Sequence, residues 1–149
     1  MGSDYLRHGA IMLAAGVGIP LLAALNAQLG QRLAAPVAAA VVLFSVALLM
    51  ACLALAVSGQ GGALRSLPTA PRHLFLGGVF IAFYVLSVTW VAPRFGVGNA
   101  IFCVLLGQML SAAVIDHFAL FGALHRPLTA MRLSGLALMA GALVLIQKG

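Results

Sequence analysis

Asn26, Tyr84, Gln108 and Asp116 are polar side chains set within apolar runs of the chain, and they are the residues best equipped for chemistry. Gln108 falls near the middle of a run, at about residues 97–118. Its amide has two donors and an oxygen with two lone pairs, all of which need partners in hydrocarbon. It reads either as a substrate contact in a polar cavity or as an interhelical hydrogen bond, worth about 0.6 kcal/mol on average in membranes. Tyr84, Ser87 and Trp90 recur at i, i+3 and i+6, so a helix puts them on one side. Tyr84 is central enough to line a cavity. Trp90 lies nearer the helix end, where tryptophan commonly sits at the interface, and counts as a second, more peripheral substrate contact. Asn26, near the end of the first run, can cap a helix end or touch substrate.

Asp116 is followed by His117, eight residues beyond Gln108 and so about 12 Å further along a helix axis. The chain has only two acidic residues, and the other is Asp4. Asp116 is therefore the candidate carboxylate proton carrier. The competing role is an ion pair with Arg126 or Arg132 that holds the following loop. His8, His73, His117 and His125 show no metal-ligand spacing, so no metal is expected. There is no nucleophile–base constellation, phosphate-cradling loop or pair of carboxylates, so neither enzyme activity nor a cofactor is expected.

The elements that must carry these groups follow from composition. Of 149 residues, 64% are hydrophobic and 7% charged, too few charges to coat a water-soluble domain. The net charge of +6 comes from basic residues scattered singly between apolar runs, which supports no nucleic-acid footprint and points to lipid headgroups as partners. The runs place five spans at about residues 9–30, 37–57, 74–91, 97–118 and 130–146, each near the 20 residues that cross a bilayer. The fold class is all-α: an integral membrane bundle in one domain, residues 1–149. Cys52 and Cys103 read as buried small hydrophobes.

Span 1 contains Gly16-Val17-Gly18-Ile19-Pro20. Proline removes a backbone donor and clashes with the preceding turn, so a kink or helix break is expected at Gly18 and Pro20. Such a break is also a pointer to a binding site. The stretch 58–72 is rich in Gly and Pro and reads as a loop. Ala92-Pro93-Arg94-Phe95-Gly96 reads as the tight turn between spans 3 and 4, and Thr129 as the N-cap of span 5. Ala130, Ser134, Ala137 and Gly141 put small residues on one face of span 5, for intramolecular packing or as a dimer face. An odd number of spans sends the termini to opposite sides. The N-terminal side, side A, then holds Arg7, Arg65, Arg72, Arg126 and Arg132, and side B holds Arg32, Arg94 and Lys148. That bias is weak enough for insertion in both orientations.

Several stretches together resemble the drug/metabolite transporter superfamily, specifically its short EamA-type proteins of one five-helix unit. They are Leu25-Asn26-Ala27-Gln28-Leu29-Gly30, Gly77-Gly78, Phe83-Tyr84, the turn at 92–96, Leu106-Gly107-Gln108, Ile115-Asp116-His117-Phe118, Gly122, Arg126-Pro127 and Arg132. Larger members resemble two such units fused with opposite topology. The resemblance therefore implies an inverted mate, either a second copy or a paralogous subunit. It also implies a transporter of small solutes, expected to be an exporter in the inner membrane, working by alternating access as an antiparallel dimer. The related small multidrug-resistance proteins carry a Glu in their first span. Here span 1 has no acid, and relatives' Gln one turn before Asn26 is Leu22, so proton-coupled cation export does not carry over. The other reading is a non-transporting subunit that stabilises a larger membrane complex.

Overall fold

In a computed structural model, which describes residues 2–148, the chain forms five long α-helices, with 3₁₀ segments in the second and fourth of the four connections. They are α1 (Gly2–Arg32), α2 (Pro36–Ser58), α3 (Leu76–Phe95), α4 (Val97–His117) and α5 (Ala130–Lys148). All five are long and apolar enough to cross a membrane. Among the described residues there is no strand. The chain divides into two compact units, Met1–Phe95 and Gly96–Gly149.

In the first unit α1, α2 and α3 pack against one another. Their contacts are built from small side chains. Ala23 and Ala27 of α1, Ala39 and Ala40 of α2, and Val85, Val88 and Ala92 of α3 are buried. Leu21, Leu25, Val41, Phe80 and Phe83 are exposed, as befits faces turned to acyl chains. Gly30 marks the closest approach: a Cβ there would stand 3.2 Å from Thr89 Cγ2, 3.3 Å from Pro36 Cα and 3.7 Å from Ala39 Cβ.

α1 ends in a Schellman motif. Ala34 takes the left-handed conformation (φ 49°). The Ala35 N–H donates to Gly30 O and the Ala34 N–H to Gln31 O, both at 3.1 Å. Two otherwise orphaned carbonyls are thereby satisfied, and Pro36 then starts α2 at a position where no N–H is needed.

Several sequence expectations need correction. No unwound segment forms at Gly18 and Pro20: α1 is helical through both. Proline removes a single donor, and a membrane helix tolerates that loss through small local adjustments. Likewise α3 runs on through Pro93 to Phe95, so the expected five-residue turn shrinks to Gly96. Gly96 has φ 90°, which a residue with a Cβ rarely adopts. The polar stretch after α2 is not irregular; Gln60–Thr69 and Arg72–Phe75 form 3₁₀ turns, with Gly59 closing α2 in the left-handed region. Cys52 and Cys103 are exposed rather than buried. A thiol on a spanning helix is as compatible with acyl chains as with a protein core.

In the second unit α4 and α5 pack together. Thr129 caps α5 as its position predicts, its Oγ1 accepting the Arg132 N–H at 3.2 Å. No residue of α5 is buried. Ala130, Ser134, Ala137 and Gly141 are all exposed. The last three line an open groove of about 1090 Å³ with Leu138, Ala142 and Leu145.

Candidate functional site

The first unit contains a polar contact that ties its first helix to its third. Asn26 and Thr89 are 5% and 3% exposed, the two polar side chains in an otherwise apolar core. Asn26 Nδ2 donates to Thr89 Oγ1 at 2.5 Å. The Thr89 hydroxyl in turn donates to Val85 O, one turn earlier, at 2.7 Å. The threonine's proton is thus fixed on its own helix, and its lone pair is aimed at α1. Nothing in the linear pattern singles out Thr89, because Ser and Thr commonly bond back to the i−4 carbonyl in membrane helices. The usable signal was a hydroxyl within an apolar run, six residues before the end of α3.

Asn26 also borders an apolar groove of about 460 Å³ between α1 and α2, lined by Leu22, Leu25, Leu29, Val42 and Val46 among others. Its amide is therefore placed between a hydrogen-bonded core and a lipid-like surface.

Tyr84 does not share this contact. Five residues before Thr89, it lies about 140° round the helix, off the face formed by Val85, Val88, Thr89 and Ala92. Its hydroxyl is buried and has no hydrogen-bond partner among the described residues. Trp90 is 56% exposed, and the Arg94 guanidinium stands over its ring at 4.7 Å from the centroid. Arg94 also donates to the Trp90 carbonyl at 2.5 Å. The pair forms one unit at the C-terminal end of α3.

In the second unit Gln108 is exposed midway along α4, as is Ser111 one turn on. Asp116 and His117, at the end of α4, close the loop to α5. Asp116 Oδ2 accepts from Arg132 at 2.6 Å, both side chains being about one-third exposed (30% and 32%). The Asp116 carbonyl accepts the Arg126 N–H at 2.9 Å. His117 Nδ1 accepts the Leu128 N–H at 3.1 Å. The His117 ring meets Phe118 edge-on at 4.7 Å and lies 6.4 Å from the His125 ring. Of the partners open to Asp116, the side-chain pair is with Arg132; Arg126 contributes only its backbone.

This clamp gives a first testable outcome. Asp116→Ala should lower stability by about 1 kcal/mol, the upper range for an accessible ion pair. The charge-reversed double variant, Asp116→Arg with Arg132→Asp, should recover part of it. Thermal unfolding in detergent of the native protein, the two single charge reversals (Asp116→Arg and Arg132→Asp) and the double variant measures the coupling, and a coupling near zero would remove the clamp from the account.

Neither a curated protein nor a solved structure matches the chain. Residues 8–145, however, match a drug/metabolite transporter family with the description "Putative inner membrane exporter, YdcZ". The match runs from the start of α1 almost to the end of α5 and takes in each polar side chain described above. The five spanning helices and the family agree on an inner membrane protein of the exporter type. The chain belongs to the YdcZ family of the drug/metabolite transporters.

Proposed function

We propose that the protein exports a small solute by alternating access, as two five-helix units inserted in opposite orientations. The observation that carries this reading is Gln108. It is an exposed amide in the middle of an apolar spanning helix, with no hydrogen bond to another described residue. A side chain with that many donors and acceptors does not sit stably against acyl chains. A water-filled cavity or a second subunit would meet its needs. Five spans and a weak Lys/Arg bias favour a mate of opposite topology, either another copy or a paralogue. The small-residue face of α5 at Ala130, Ser134, Ala137 and Gly141 offers the surface for close approach. Asn26, Tyr84 and Gln108 are the proposed solute contacts, with Trp90 nearer the mouth, and rocking of one unit against the other would expose them alternately.

The test has two arms. A reporter fused after Gly149 should be detected on both sides of the membrane if the chain pairs with itself. A one-sided result leaves only a separate inverted partner or no inversion at all. In proteoliposomes, with and without a pH gradient, Gln108→Leu should reduce flux by about five- to tenfold, the effect of about 1 kcal/mol of lost transition-state contact. If purified protein moves no solute and Gln108→Leu is neutral or stabilising, the chain is instead a non-transporting subunit of a larger complex.

A further inference from the structure

The end of the first unit holds a pocket that none of the solute contacts above uses. Its volume is about 360 Å³, and its walls include Gln31 at the end of α1, Ala34 just beyond it, Pro36 at the start of α2, and Thr89, Pro93 and Arg94 of α3. These residues lie together at one end of three candidate spans, the end assigned above to side B.

The pocket is positive. Arg94 is charged at any physiological pH and carries five N–H donors in a planar fork. One donor is engaged by the Trp90 carbonyl, and the guanidinium is held over the Trp90 ring. That stacking orients the fork without neutralising it. The Gln31 amide adds a second donor. α2 begins at the same wall, and its N-cap Ala35 supplies no side-chain acceptor, so the positive end of the helix adds to the field. Arg32 contributes a further charge in the last turn of α1. No carboxylate of this unit competes: Asp4 is at the opposite end of α1, about 40 Å away along the axis.

We infer that the Arg94 pocket binds an anionic oxygen group, a phosphate or carboxylate, at the side B surface. The group is met by the guanidinium fork and the Gln31 amide. It comes either from an anionic lipid headgroup or from a free anion in the aqueous phase. As a solute site the inference rests on the export reading; as a headgroup site it stands without it.

Trp90 is the chain's only tryptophan, so its emission reports on Arg94 directly. The protein in phosphatidylcholine vesicles is titrated with inorganic phosphate. In parallel, its emission is compared between phosphatidylcholine vesicles and vesicles with increasing phosphatidylglycerol. A saturable change on adding phosphate identifies a free-anion site. A change only with phosphatidylglycerol identifies a headgroup site. In either case Arg94→Gln should weaken the response roughly tenfold or more, while Arg94→Lys, a point charge without the fork, should retain a weaker one. Gln31→Leu leaves the Arg94–Trp90 pair intact and should weaken binding several-fold, which separates loss of the site from loss of the fold. No response in either titration, or the same response in Arg94→Gln as in the native protein, overturns the inference. Since the readout needs no flux, its failure is distinct from a failure of export.

Discussion

Replacing Gly30 with leucine should prevent the first three helices from closing, the largest loss expected of any single change in this protein. Even one methyl group would stand 3.2 Å from Thr89 Cγ2 and 3.3 Å from Pro36 Cα. Pro36 Cα is backbone at the fixed start of α2. Thr89 is held by hydrogen bonds to both Asn26 and Val85. Neither neighbour yields easily. Against this, alanine is the better helix former by about 1 kcal/mol. Overpacking costs about 1–3 kcal/mol, so Gly30→Ala should be destabilising on balance, and Gly30→Leu by about 3 kcal/mol or more. Gly16→Ala, on the same helix with nothing within 4 Å of its Cβ, is the control. It should hold or raise stability. Thermal unfolding in detergent decides: a Gly30→Ala protein as stable as Gly16→Ala would mean that close approach is not what holds α1 to α2 and α3.

The second large effect is expected at the Asn26–Thr89 contact, where stability and function can be separated. Thr89→Val keeps the shape but removes the acceptor, leaving the Asn26 amide buried without its partner. An orphaned buried donor costs about 1–3 kcal/mol. Asn26→Leu is the milder change, because the Thr89 hydroxyl still donates to Val85 O. The double variant, Asn26→Leu with Thr89→Val, has no polar group left to satisfy. Membrane hydrogen bonds contribute only about 0.6 kcal/mol on average, so the double variant should come within about 1 kcal/mol of the native protein. If Asn26 touches solute, that stable double variant should still lose flux by about tenfold. Recovery of both stability and flux would make the pair a packing device and remove Asn26 from the transport path.

These outcomes depend on facts of very different legibility. That the chain is membrane-embedded and crosses five times was readable from apolar length alone, because hydrocarbon thickness sets the span and backbone satisfaction enforces the helix. The cap at Thr129 was readable for a local reason too: the hydroxyl reaches an N–H three residues on, whatever the rest of the chain does. That a helix boundary falls at Gly96 was readable, but the extent of the break was not. Composition marks where a helix can stop, whereas Pro93 showed that it need not stop there.

The tertiary structure alone decided which residues meet. Asn26 and Thr89 are 63 positions apart, and their contact depends on the rotation and register of α1 against α3. Helices apolar on every side carry no amphipathic stripe to mark the inward face. For the same reason Gly30 looked like any other glycine until Pro36 and Thr89 were placed against it. The choice of Arg132 over Arg126 by Asp116 followed from the path of the loop between α4 and α5, which turns the Arg126 N–H rather than its side chain toward the end of α4. Apolar length and local hydrogen bonding act within one helix and are written in its own residues. Partner choice is a relation between helices, and it exists only once they are packed.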